Sequence, residues 1–109
     1  MEKFFLVLAL FTLSASATHG DEVGVVVKTY RACDLFIVES PSGFHVLEWW
    51  HGPQPALQDQ IVGVLNRYDT TEIWLLDQHS KVDITMEKHV ETMDEALLVA
   101  SDLCIIDDC

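Results

Sequence analysis

Beyond residue 20, apolar residues recur at every second position or fill short runs over most of the chain. These stretches are rich in β-branched and aromatic residues and are separated by Gly, Pro, Asn and Asp, which is typical of short β-strands. The pattern predicts six strands, at residues 23–27, 35–38, 44–50, 61–65, 73–76 and 82–87. The last strand alternates most cleanly, which indicates one buried face and one solvated face.

A hairpin turn precedes the aromatic strand at residues 44–50. Pro41 presets φ for the first turn position and Gly43 tolerates a left-handed conformation, so we expect a three-residue hairpin loop. Because side chains alternate along a strand, His45 and Trp49 should lie on one face and Trp50 on the other. One tryptophan can then fill the core, while its neighbour is exposed unless another element covers it.

The apolar period changes from two to between three and four near residue 92. Thr92 followed by Glu95 fits a capping box, in which each side chain bonds to the other's backbone N–H. The apolar stripe that follows consists of Met93, Ala96, Leu97, Ala100, Leu103 and Cys104. The sequence therefore predicts an amphipathic helix over 93–104 that packs on the sheet.

Six short strands followed by one helix predict a mainly β fold. The close spacing of the strands favours a small antiparallel barrel of the OB or SH3-like kind, capped by the C-terminal helix. The alternative is an open, curved sheet with the helix across one face.

Residues 1–17 have the three-part layout of a secretory signal peptide. Lys3 supplies the positive charge, residues 4–13 form an apolar run, and Ala15 and Ala17 are the small residues before the cleavage point. The apolar run is too short to span a bilayer, which takes roughly 20 residues. We therefore expect an exported protein, periplasmic or secreted, in which residues 18–109 form a single small β-rich domain.

The three cysteines would enter an oxidising compartment, and their odd number leaves one unpaired. Cys104 lies on the buried stripe of the helix and Cys33 begins the hairpin, so a bond between them would join the helix to the sheet. Pairings of Cys104 with Cys109 and of Cys33 with Cys109 are the alternatives. With the first pairing, Cys109 keeps a free thiol at the exposed C-terminus, where it could cross-link two chains.

Charge and motif content narrow the function classes. The chain has 18 acidic and 6 basic residues and a net charge of −12, which repels nucleic acids and anionic membranes and permits cationic partners. His45, Glu48 and His51 have an H-x-x-E-x-x-H spacing, but on a strand Glu48 points away from both histidines. We therefore expect no metal site and no cofactor, and we assign no catalytic residue.

The residues best suited to bind a partner lie in the aromatic strand and in the proline-rich loop that follows it. The candidate contact residues are Trp49, Trp50, His51, Pro53 and Pro55. An exposed tryptophan beside a stiff loop suits a protein or envelope component, so we expect a non-enzymatic binding or structural domain. A basic secreted enzyme, such as a lysozyme, is one such partner.

The alternative function is a small hydrolase or metal-dependent enzyme that uses clustered histidines and acids. It requires two histidines within about 5 Å of each other, or two carboxylates that share a cleft. The linear sequence cannot place these residues relative to one another.

Several segments together resemble small secreted bacterial β-proteins of unknown function. They are Cys33, Pro-x-Gly-Phe at 41–44, Leu-Glu-Trp-Trp-His-Gly at 47–52, Asp-Gln-Ile-Val-Gly at 59–63 and the capped helix with its cysteine. The resemblance covers most of residues 18–109. It implies a secreted β-domain and supplies no catalytic residues.

Overall fold

A computed structural model describes residues 21–65 and 68–107 of the chain. The predicted signal peptide at residues 1–17 and the predicted free thiol of Cys109 lie outside these residues. The described residues form six antiparallel strands and one C-terminal helix, as the hydrophobic pattern predicts.

The six strands close into a barrel. In chain order the elements are β1 (Glu22–Tyr30), β2 (Leu35–Ser40), β3 (Gly43–His51), β4 (Gln60–Gly63), β5 (Thr70–Leu75), β6 (Ser80–Val90) and the helix α1 (Met93–Asp107). Two three-stranded meanders, β1–β2–β3 and β4–β5–β6, pair with each other through β3 with β6 and β1 with β4. This closure confirms the small barrel and excludes the open sheet.

The barrel interior is filled by the inward-facing set of alternating side chains. On β6 these are Val82, Ile84 and Met86, as the clean alternation predicts. The whole interior cluster consists of Val26, Phe36, Val38, Leu47, Ile61, Leu65, Ile73, Leu75, Val82, Ile84 and Met86. Burial of this apolar set is the main stabilising contribution to the barrel.

A second apolar layer lies between the outside of the barrel and α1. Leu35, Ile37 and Val46 on β2 and β3 pack against Ala96 and Ala100 of the helix. The predicted strand at residues 35–38 is apolar on both faces because one face lines the barrel and the other lies under α1. The small alanine side chains allow the helix to approach the sheet closely.

A capping box at the start of α1 and a disulfide near its end hold the helix in place. The Glu95 N–H donates to Thr92 Oγ1 and the Thr92 N–H donates to Glu95 Oε1, both at 3.2 Å, which confirms the capping box. At the other end of the helix, a disulfide joins Cys104 to Cys33, with the two Cα atoms 5.4 Å apart. Cys33 is 6% exposed and ends a 3₁₀ turn at Arg31–Cys33. The disulfide lies within one chain and confirms the favoured pairing.

The hairpin between β2 and β3 is tighter than predicted. Ser40 pairs with Gly43, so the loop has two residues, Pro41 and Ser42, instead of three. Gly43 is the first residue of β3 and has a φ of 128°, which a side chain would strain. The pairing therefore begins one residue earlier than expected, and it brings the loop serine close to the end of the barrel.

Candidate functional site

The two adjacent tryptophans of β3 face opposite sides of the barrel wall, as the strand period predicts. Trp49 is half-buried against the interior cluster, and its indole N–H donates to the Gly52 carbonyl at 3.0 Å. Trp50 is 56% exposed on the outside, and its indole N–H donates to Thr85 Oγ1 at 2.8 Å. The ring of Trp50 is therefore both accessible and held in a fixed orientation.

The proline-rich loop contributes less to an accessible surface than predicted. Pro55 is buried, whereas His51 and Pro53 are exposed. The gap beside Trp49 and Pro55 has a volume of about 10 Å³, which is room for one water molecule and too small for a sugar or a peptide side chain. Of the predicted contact residues, Trp50, His51 and Pro53 are exposed, whereas Trp49 is partly buried and Pro55 is buried.

A second exposed tryptophan extends this surface. Trp74 on β5 is 46% exposed and pairs across the strands with Lys81 of β6. Thr85, whose Oγ1 accepts the hydrogen bond from Trp50, lies four residues further along the same face of β6, so Lys81 and Thr85 are about 13 Å apart along the strand. We call this outer surface of β3, β6 and β5, which carries Trp50, Thr85, Lys81 and Trp74, the aromatic face.

The charges on the aromatic face are mainly acidic. Glu72 of β5 and Asp83 of β6 are directly opposite each other in the strand register. The Lys81 Nζ lies 3.8 Å from Glu72 Oε1 and 5.1 Å from the centroid of the Trp74 ring. The ammonium of Lys81 is thus within reach of both a carboxylate and the face of an indole.

A separate polar cluster occupies the end of the barrel beside the β2–β3 loop. Glu22 Oε1 accepts hydrogen bonds from Ser40 Oγ at 2.8 Å and from Ser42 Oγ at 2.7 Å. Ser40 Oγ also lies 2.8 Å from His45 Nε2, and the rings of His45 and His89 are 4.8 Å apart. We call these five residues the hairpin cluster.

The hydrogen-bond directions in the hairpin cluster follow from its carboxylate. Because ionised Glu22 can only accept, the hydroxyl of Ser40 donates to it and is free to accept from the Nε2–H of His45. In the neutral ring Nδ1 then carries no proton. This atom is buried and has no hydrogen-bond partner among the described residues.

Burial is the main influence on the titration of His45, which is 0% exposed. Desolvation lowers the pKa of its imidazole, and the nearby His89 lowers it further, whereas the Glu22 carboxylate and the Leu65 backbone act in the opposite direction. His45 is therefore neutral at pH 7.

The carboxylate of Glu22 stays ionised despite partial burial. Desolvation raises its pKa, but the hydrogen bonds from Ser42 and Ser40 and, at acid pH, the positive charge of protonated His45 outweigh that effect, so the pKa is lowered. Glu22 and Ser42 also line a surface cavity of about 620 Å³, together with Asp21, Val23, Pro41 and Val62. The enzymatic alternative requires either two histidines within about 5 Å or two carboxylates in one cleft, and the pair His45–His89 and the pair Asp21–Glu22 supply these features.

Trp50, His51 and Pro53 are the predicted contact residues that are exposed, whereas Trp74 and the hairpin cluster were not among the predicted contact residues. Trp74 had a usable signal, because the alternation of β5 places its neighbours Ile73 and Leu75 in the interior. The hairpin cluster had only one signal, a histidine at an inward-facing position of β3, because Glu22 and His89 lie on strands whose pairing with this hairpin the sequence does not show. Within residues 21–65 and 68–107, no group of three His, Cys, Asp or Glu side chains could hold a metal ion.

The chain matches no protein-family model, no curated protein and no solved structure. Its resemblance to small secreted bacterial β-proteins therefore stays a prediction, and its function has to be argued from its own contacts. None of the helices in the described part of the chain has the length and hydropathy needed to cross a membrane.

Proposed function

We propose that this protein is an exported binding domain whose aromatic face contacts a basic protein. The observation that carries the proposal is the exposure of Trp50 and Trp74 on one outer face, while Trp49 packs inside. Tryptophan is enriched among the residues that contribute most to protein interfaces, because a large ring is buried at little cost in conformational entropy.

The closed barrel favours binding through this face. All six strands are paired on both sides, so the backbone under the two tryptophans is rigid before a partner arrives. The hydrogen bond from Trp50 to Thr85 also fixes one indole in advance. A preorganised surface loses less entropy on association, which leaves more of the contact energy as affinity.

The charge of the chain supports a cationic partner. A net charge of −12 attracts basic proteins over long range and speeds their encounter at low salt. Glu72 and Asp83 add local carboxylates beside Trp74. A basic secreted enzyme such as a lysozyme has the matching charge and would meet an exported protein in the same compartment.

Export is supported by two independent features. The first 17 residues have the layout of a signal peptide, and Cys33 and Cys104 form a disulfide within the chain. Disulfides form and persist in the periplasm and outside the cell, and are rare in the cytosol. We therefore place the domain in the periplasm or in the secreted fraction.

Binding to a defined basic protein tests the proposal. Immobilised lysozyme should retain the wild-type chain at low salt and release it as salt rises, while Trp50→Ala and Trp74→Ala should each weaken binding. The matched control is Leu98→Ala, which removes another exposed apolar side chain (68% exposed) from the outer surface of α1. If the tryptophan variants bind as tightly as this control, the aromatic face is not the contact surface.

A small hydrolase is the second candidate, favoured by the hairpin cluster. The exposed hydroxyl of Ser42 lines the cavity and lies 3.3 Å from His45 Nε2 and 2.7 Å from Glu22 Oε1. In a hydrolytic triad, however, the carboxylate orients the other ring nitrogen, Nδ1. Here Glu22 contacts the serines instead, so the arrangement supports this function less well than it supports binding.

A fluorophosphonate reagent separates the two candidate functions. A nucleophilic serine forms a covalent adduct that mass spectrometry locates, and Ser42→Ala should then abolish the adduct. Labelling of Ser42 would support the hydrolase. An unlabelled protein with an intact fold would remove it.

A further inference from the structure

We propose that Trp74 and Glu72 form a seat for an arginine side chain of the partner, and that Lys81 occupies this seat in the free protein. The proposal rests on the proposed function, since it concerns the same aromatic face. It adds the chemical group that is recognised and an intramolecular competitor for it.

The geometry of the seat is visible because Lys81 fills it. Its ammonium lies 5.1 Å from the centroid of the Trp74 ring and 3.8 Å from Glu72 Oε1. Trp74 and Lys81 are cross-strand partners in the β5–β6 ladder, so this side-chain contact follows from the register of a closed barrel. The cation is therefore placed on the indole by the fold itself.

Lys81 is held only weakly beside Trp74 and Glu72. Its side chain is 51% exposed and that of Glu72 is 60% exposed, so water screens their attraction. An ammonium ion is also strongly hydrated and contacts an indole through a single charged point. A guanidinium group is planar, more weakly hydrated and able to stack on the ring while it bonds to a carboxylate in bidentate fashion. An arginine from a partner should therefore displace Lys81.

Two carboxylates lie beside Trp74 and only one lysine among the described residues is close to them, so the local charge favours a further cation. Asp83 lies directly opposite Glu72 across the ladder, and like charges in that position repel each other. Lys81 is within ion-pair distance of Glu72. An arginine that displaces Lys81 brings its positive charge to this acidic pair, and the second carboxylate, Asp83, favours a partner segment with more than one basic residue.

The chain contains a matched control for Lys81. Lys28 on β1 lies 5.5 Å from the centroid of the Tyr30 ring, so it is also a lysine over an aromatic side chain, although Tyr30 is partly buried. Lys28→Met and Lys81→Met change the net charge of the protein equally. Only Lys81→Met empties the seat on Trp74, so the difference between the two variants isolates the local effect from the general charge effect.

The test measures the affinity of the disulfide-bonded chain for tetra-arginine and tetra-lysine peptides by calorimetry and tryptophan fluorescence. Lys81→Met should bind tetra-arginine about two- to fivefold more tightly than Lys28→Met, the range that an exposed cation–π contact corresponds to. The gain should be smaller for tetra-lysine. It should vanish when Trp74→Ala is added.

Equal affinities of Lys81→Met and Lys28→Met for tetra-arginine would overturn the seat. An equal gain for tetra-lysine would overturn the preference for arginine. Failure of the proposed function looks different, because Trp50→Ala and Trp74→Ala would then leave lysozyme binding unchanged. If those two variants weaken lysozyme binding while the two lysine variants behave alike, the aromatic face binds a basic protein without an arginine seat at Trp74.

Discussion

Reduction of the disulfide between Cys33 and Cys104 should destabilise the protein by about 4 kcal/mol. The two cysteines are 71 residues apart, so the bond closes a loop that covers most of the described chain. In the chain-entropy account, a closed loop of about 70 residues removes enough freedom from the unfolded state to give this magnitude. A domain of this size should then lose roughly 15–30 °C in melting temperature.

The measurement compares oxidised and reduced forms of one chain, so that no core side chain changes. A Cys109→Ser background removes the third thiol and prevents exchange between cysteines. Urea unfolding followed by circular dichroism gives both free energies of unfolding, and hydrogen exchange should show that α1 loses protection before the barrel strands. A difference below about 1 kcal/mol would show that the bond contributes little beyond the packing of α1.

Three further changes test single contacts. Burial lowers the pKa of His45 below its ordinary 6.5, so the unfolded chain binds more protons as the pH falls. Stability should therefore decrease from about pH 7 to pH 5, and His45→Gln should reduce this pH dependence in urea titrations. The lowered pKa of Glu22 also makes stability decrease with falling pH, but only near and below 4.5, the ordinary pKa of its carboxyl group. Thr92→Ala should cost about 1 kcal/mol because the N-cap is lost, and an unchanged urea midpoint would refute the capping box. Gly24→Ala should cost about 1–3 kcal/mol in thermal unfolding, since its new Cβ would lie 2.5 Å from Val38 Cγ1; no loss would show that the strands can move apart.

The barrel was predictable because the alternation of apolar and polar residues within each strand indicates which of its faces is buried. On β6 the alternation marks Val82, Ile84 and Met86 as interior, and they are. The capping residues Thr92 and Glu95 likewise mark the start of α1 through short-range contacts alone. These features depend on residues close together in sequence, so the pattern contains them.

The length of the β2–β3 hairpin loop could not be predicted from the turn residues alone. Pro41 and Gly43 both suit a turn, and they were compatible with loops of more than one length. The observed pairing of Ser40 with Gly43 depends on the register of the whole β2–β3 ladder, which a few turn residues do not determine.

The hairpin cluster depends on long-range register even more strongly. Glu22, Ser40, His45 and His89 lie on four different strands. His45 meets His89 only because the β3–β6 ladder shifts its register between Val46 and Leu47. No spacing in the sequence carries that information, and the single hint is a histidine at an inward-facing position of β3.

The exposure of Trp50 was predictable in part. Adjacent tryptophans on a strand must face opposite ways, but whether α1 or the proline loop would cover the outer ring depended on packing. The structure leaves Trp50 exposed, and it turns Pro55 inward. Burial of a loop residue depends on contacts distant in sequence, so the burial of Pro55 was not predictable from the local pattern.

The central claim is that the outer tryptophans, and not the inner one, contact a basic partner. The most direct measurement follows the three indole N–H signals in a nitrogen–proton correlation spectrum while lysozyme is added at low salt. We expect the signals of Trp50 and Trp74 to shift, and the signal of Trp49, which is hydrogen-bonded to the Gly52 carbonyl, to stay in place. Binding that leaves both outer signals unchanged would contradict the claim.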